Sequence, residues 1–242
     1  MFSRCPPWSA ALLASRPRYK ALLLDMNGTF MFGHDRFGPT EDFFSTYLAM
    51  GSGCLSPDEV KQAVLSVYRR MSADYSNPGR VDDFPSVAES FARHARVPED
   101  EAVLLERVFA AHERGRVPEP FANCVRRLAA RHAIGVVSNI WARKEIWLSH
   151  FEEIGIAGVW RTMVFSSDTR SIKPSPVLFR RAIDDLGVNP GDILFVGDSL
   201  RADIEPAKAL GMNTAWVGAA ATLHASAVWT APSLLELEQM LH

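Results

Sequence analysis

Four short stretches of this 242-residue chain hold side chains that can handle a phosphate group. The first is Asp25-Met26-Asn27-Gly28-Thr29. A carboxylate can attack phosphorus and form an aspartyl-phosphate. Gly28 lets the chain turn sharply, and the Thr29 hydroxyl can bond locally and brace the loop. The second is Ser138-Asn139, where a hydroxyl beside a helix N-terminus would cradle phosphate. The third is Lys173 in Ser171-Ile-Lys-Pro-Ser175. A lysine held rigid by Pro174 would neutralise phosphate and an adjacent carboxylate. The fourth is Gly197-Asp198-Ser199, with Asp203 five residues after Asp198. Asp25 and Asp198 could converge on one Mg²⁺, a hard cation that prefers oxygen. Asp203 would then orient Asp198 or the lysine from behind. Alone, each stretch has a plainer meaning: a turn after a strand, a helix cap, a solvated lysine.

The segments that must position these residues read as buried strands. Lys20–Asp25, Ala133–Ser138 and Asp192–Asp198 are short apolar runs, each ending in a polar residue. Continuous apolar runs suit strands covered on both faces, as in a parallel sheet. In open α/β sheets, ligands bind at the C-terminal ends of the strands. Further strands are expected at Arg161–Ser166, Asn213–Val217 and Ala227–Thr230. Helical periods fall between them at Phe121–Arg131, Glu145–Ile154, Pro176–Leu186 and Ala202–Leu210, with Gly187 and Gly211 placed as C-terminal caps. Alternating strands and helices indicate right-handed βαβ units.

Residues 35–116 differ, because helical patterns dominate and no strand is convincing. Ser56 with Glu59 forms a capping box, and Pro57 suits the first helical position. Val60, Val64, Val67, Tyr68 and Met71 then share a face. Thr40–Met50, Pro85–Ala95 and Glu99–Glu113 supply three more helices, with Gly51 and Gly115 as stops. The expected architecture is a three-layer, Rossmann-like α/β core over 19–34 and 117–242. A helical-bundle cap over 35–116 is inserted into it, and 1–18 form an N-terminal extension.

Composition sets the limits. The 26 Lys and Arg against 28 Asp and Glu give a formal charge of −2, with no basic block to suggest nucleic acid. No apolar run reaches membrane-spanning length, so no membrane partner is expected. Residues 1–18 read as a loosely packed leader rather than a secretory signal. Cys5, Cys54 and Cys124 are widely spaced, which fits reduced thiols in a cytoplasmic protein rather than a zinc site or disulfide framework. The seven histidines lack metal-ligand spacing and the six tryptophans read mainly as packing residues. Oligomeric state is open.

In order, the stretches DMNGT, VVSN, SIKPSP and FVGDSLRADIEPAKALGM resemble the four motifs of the haloacid dehalogenase (HAD) superfamily. The last is the most specific, and a helical insert just after the first strand is similar to that family's C1 cap. The resemblance implies a Mg²⁺-dependent phosphatase acting on a small phosphorylated metabolite. It makes Asp25 the nucleophile, and Asp25, the Asn27 backbone carbonyl and Asp198 the metal ligands. Ser138 and Lys173 would bind the phosphoryl group, with Thr29 and Asn139 beside them, and Asp203 would support Asp198. HAD phosphatases carry a second aspartate where this chain has Asn27. A carboxamide cannot shuttle a proton, and such help is typically worth about 10²–10⁴ in rate. Three consequences stand open: weak turnover or a restriction to good leaving groups, another proton donor (His34 by position), or a long-lived intermediate. A phospho-ligand-binding or regulatory protein with little turnover is the alternative. The Gly-Asp of the fourth stretch argues against dehalogenation.

Overall fold

The computed structural model describes residues 19–95, 97–218 and 223–241. The expected leader, with Cys5, lies outside them. Among the described residues, six strands form one parallel sheet: β1 (Ala21–Leu24), β2 (Ala133–Ser138), β3 (Trp160–Phe165), β4 (Ile193–Gly197), β5 (Asn213–Val217) and β6 (Trp229–Ala231). Their order is β3-β2-β1-β4-β5-β6. The chain therefore runs outward in both directions from β1 and β4. The crevice between those two strands is the switch point, where such sheets bind ligands. Leu24 pairs in register with Val136 on one side and Val196 on the other. Asp25 extends the ladder by donating its N–H to Val196 O at 2.8 Å.

Alternation along β1 divides the core. Leu22 and Leu24 belong to one apolar cluster, and Ala21 and Leu23 to the other. This is the period-2 geometry of a strand buried on both faces. One face is covered by α7 (Pro176–Leu186) and α8 (Glu205–Ala209), through Leu178, Phe179, Ala182 and Ala207. The other carries α5 (Glu119–Ala129), α6 (Glu145–Glu153) and α9 (Leu234–Met240). The result is the expected three-layer, Rossmann-like α/β fold.

Between β1 and α5 lie α1 (Phe43–Met50), α2 (Pro57–Tyr75), α3 (Val87–His94) and α4 (Glu99–Glu113), packed on one another. The Ser56–Glu59 capping box forms, and a second one forms at Ser86 and Glu89. The first helix starts later than Thr40, because Asp42 caps it by accepting the Ser45 N–H at 2.9 Å. Apolar residues of this bundle join the Leu22–Leu24 side in a single cluster. Of the cysteines described, Cys54 is exposed, Cys124 buried, and both are free. Among the described residues, no helix is long and apolar enough to cross a membrane.

Two local expectations fail. No helix begins at Ser138-Asn139, since α6 starts at Glu145. The peptide N–H groups of Trp141 and Ala142 donate to Glu113 at 2.5 and 2.9 Å, which holds the intervening loop out of a helix. The helix expected from Ala202 opens instead with a π turn at Leu200–Ile204, with Ser199 as its cap. Wide turns of this kind are frequent at functional sites.

Candidate active site

Asp25, Ser138 and Asp198 lie at or just past the C-terminal ends of β1, β2 and β4, and Lys173 enters from the loop before α7. All four line one cleft of about 390 Å³ with Asn27, Asn139 and Asp203. Asp25 Oδ1 accepts from Ser138 Oγ at 3.1 Å and from Lys173 Nζ at 2.5 Å. The same ammonium donates to Asp203 Oδ1 at 2.6 Å and to Val137 O at 3.1 Å. Asp203 Oδ2 accepts the Ser199 N–H at 3.0 Å, so both its oxygens are occupied. Thr29 lies behind the cleft rather than in it: it is buried, and its hydroxyl reaches Asp25 Oδ2 at 3.5 Å. Asn139 brackets the Lys173 backbone, accepting its N–H at 2.8 Å and donating to its carbonyl at 3.3 Å.

Two glycines make this crowding possible. Gly28 has φ +79°, and a Cβ there would stand 2.2 Å from Asp198 Oδ2. A Cβ on Gly197 would meet the Asp203 side chain at 2.5 Å. Each glycine lets backbone and carboxylate share space that any other residue would fill.

The charges do not balance locally. Burial works against the Lys173 ammonium, but Asp203 and Asp25 together outweigh it and raise its pKa. Burial likewise pushes the Asp203 carboxyl upward, against the opposing pull of Lys173. The causes differ: two carboxylates raise the lysine, and burial raises the aspartate. Asp198 is exposed on the cleft wall, yet its protein surroundings and the neighbouring Asp25 charge push it up to about 6. Oxygens of Asp25, Asp198 and Asp203 lie within 4.8 Å of one another. An all-oxygen donor set with excess negative charge fits a hard divalent cation.

Several lining residues were not legible beforehand. Tyr68, Ser72, Tyr75 and Ser76 on and just after α2 form the wall opposite the sheet. Tyr75 OH accepts from Asn139 at 3.0 Å. Trp141 stands at 5.9 Å from Tyr68 and 5.5 Å from Tyr75, ring centre to ring centre. Asp35 and Glu113 also line the cleft. Helical periodicity placed Tyr68 among packing residues, and it does stack on Phe37 at 4.2 Å. Period alone does not tell a packed face from a face that also borders a cleft.

Residues 86–217 match the family described as haloacid dehalogenase-like hydrolase. An N-acetylmuramic acid 6-phosphate phosphatase of Pseudomonas aeruginosa is 28% identical over 205 residues, which cover 84% of this chain and 83% of that protein. A HAD phosphatase structure from Thermococcus onnurineus superposes with TM-score 0.61 at 23% identity, covering 92% of this chain and 97% of that one. The L-2-haloacid dehalogenase of Xanthobacter autotrophicus gives TM-score 0.58 at 18% identity, covering 92% and 98%. At those identities the two structures speak for the fold alone.

Proposed function

The chain belongs to the haloacid dehalogenase-like hydrolase family, and from that premise we propose that it is a Mg²⁺-dependent phosphatase of small phosphorylated molecules that works through Asp25. The observation that carries this reading is the meeting of Asp25, Ser138, Lys173 and Asp198 in one cleft at the sheet's switch point. Phosphatases among its relatives support it.

In this reading the Asp25 carboxylate attacks phosphorus in line, the ester P–O bond breaks, and an aspartyl-phosphate forms. Water then displaces phosphate and restores the carboxylate. Ser138 and Lys173, which both donate to Asp25 Oδ1, would donate to the phosphoryl oxygens instead and hold them through the transfer. Asn139 keeps Lys173 in place from its backbone side. Asp25, the Asn27 carbonyl and Asp198 would hold Mg²⁺, with Asp203 fixing Lys173 behind them. The metal, when bound, offsets charge on the transferring group. The bundle over 35–116 acts as the cap on a core formed by 19–34 and 117–242, excluding water and selecting substrate. A cytoplasmic location goes with this reading.

The test is phosphate release from p-nitrophenyl phosphate, sugar phosphates and acetyl phosphate, with and without Mg²⁺. Asp25→Asn should lose about 10³-fold or more. Retention of wild-type rate by that variant would sink the reading. Asn27 favours a second one, a phospho-ligand-binding protein with little turnover. It predicts phosphate binding without release in the wild type, and release restored by Asn27→Asp.

A further inference from the structure

We propose that His34 is the general acid and base of this site, taking the proton-transfer role that Asn27 cannot fill; this rests on the phosphatase reading above. Cleaving a phosphomonoester leaves an oxygen that must gain a proton, and hydrolysing the aspartyl-phosphate requires a water to lose one. The Asn27 carboxamide does neither, and its Oδ1 is buried without a hydrogen-bond partner among the described residues.

The other titratable groups lining the cleft are committed elsewhere. Asp25, Lys173 and Asp203 form one closed network. Asp198 is the metal ligand in this reading. Glu113 accepts backbone N–H groups on both oxygens. The Tyr75 phenol accepts from Asn139 and is held above its usual range by burial. Tyr68 is stacked on Phe37 at 4.2 Å as part of the packed face of α2.

That leaves the consecutive pair His34 and Asp35, both on the cleft wall. His34 Nδ1 is buried with no partner among the described residues, and Nε2 lies 3.8 Å from Asp35 Oδ2. Nε2 is thus near a carboxylate but beyond hydrogen-bond reach of it, and Nδ1 is shielded from solvent, so among the described residues neither ring nitrogen is tied to another group. The support is rigid. Phe32 and Arg116 exchange backbone hydrogen bonds at 2.9 and 2.8 Å, and the Asp35 and Arg36 N–H groups donate to Glu113 O and His112 O. Asp35 holds φ +57°, a left-handed conformation uncommon outside glycine and found at functional sites. An imidazole nitrogen can both give and take a proton, as the two half-reactions require.

The proton count closes over the cycle. As the Asp25–phosphorus bond forms and the ester P–O bond breaks, the imidazolium gives its proton to the leaving oxygen, yielding the alcohol. The neutral ring then takes a proton from water as that oxygen bonds to phosphorus. The Asp25–phosphorus bond breaks, leaving inorganic phosphate, a free carboxylate and imidazolium.

The experiment compares kcat/KM, which reports the first transfer, for glycerol phosphate and p-nitrophenyl phosphate. Wild type, His34→Gln, His34→Asn, Asp35→Asn, and His34→Gln combined with Asn27→Asp would be measured, each checked for folding by its melting temperature. An alkoxide leaves poorly without a proton and a nitrophenolate leaves well. His34→Gln and His34→Asn should therefore lose about 10²–10⁴ on glycerol phosphate and far less on p-nitrophenyl phosphate, and Asn27→Asp should restore much of the loss. Equal losses on both substrates, no loss, or no recovery in the double variant would overturn the proposal. A leaving-group-dependent loss confined to Asp35→Asn would overturn it in favour of that carboxylate. A wild type inactive on both esters and on acetyl phosphate would instead defeat the phosphatase reading, a separate outcome.

Discussion

At the scale of single residues, Gly28 governs how near the backbone comes to Asp198. Its φ of +79° and the 2.2 Å that would separate an added Cβ from Asp198 Oδ2 leave no room for alanine. Gly28→Ala should cost about 1–3 kcal/mol of stability from the backbone conformation alone. It should also displace Asp198 and weaken Mg²⁺ binding at least about tenfold, roughly the 1.4 kcal/mol lost when one ligand shifts. Urea unfolding and calorimetric Mg²⁺ titration check the two effects. Unchanged Mg²⁺ affinity in a folded variant would show that Asp198 is not a ligand. Asp25, Ser138, Lys173, Asp198 and Asp203 were legible in the sequence because each ends a strand or follows one at short range. The Asp35 and Glu113 carboxylates were not, because their place in the cleft depends on how the bundle docks.

At the scale of elements, the link between α4 and the loop after β2 is one carboxyl group. Glu113 ends α4 and accepts the N–H groups of Trp141 and Ala142. Burial pushes its pKa from 4.5 up to about 8, against the pull of those two N–H groups. Between pH 4.5 and 8 the folded protein therefore keeps a proton that the unfolded chain has lost. Stability from this group is present below 4.5 and declines as pH rises through that window. The slope is at most about 1.4 kcal/mol per pH unit. Glu113→Gln, a neutral isostere, should match wild type near pH 4.5 and gain on it steadily up to pH 8, followed by unfolding free energies across that range. A constant difference at all pH values would refute the assignment. The same link explains why no helix begins at the end of β2, although the helix at Glu145 falls where its period placed it. Sequence reading sees a hydroxyl and an amide at 138–139 and infers a cap, but it has no view of a carboxylate arriving from α4. Elsewhere local chemistry sufficed, as at Ser56, Pro57 and Glu59, where the cap and its partners are neighbours in sequence.

At the scale of the whole molecule, the sheet order follows from strands that read plainly as buried runs, and the bundle from a long stretch without them. The cleft wall opposite the sheet was hidden. Tyr68, Ser72, Tyr75 and Ser76 face Asp25 only once α2 has folded back over the strand ends, a long-range fact that periodicity does not carry. Strands deliver the nucleophile and the acidic groups, while the inserted helices deliver aromatic and hydroxyl groups. In the proposed mechanism the first set does the chemistry and the second receives the substrate. Everything in that mechanism turns on a covalent bond between Asp25 and phosphorus, and the bond can be sought directly. The protein would be mixed with acetyl phosphate and Mg²⁺, quenched in acid within one turnover, digested and analysed by mass spectrometry. A hydroxylamine-sensitive phosphoryl group should appear on the peptide holding Asp25 and be absent in Asp25→Asn. Phosphate released at the wild-type rate by Asp25→Asn, or turnover with the label on another residue, would refute the covalent role of Asp25.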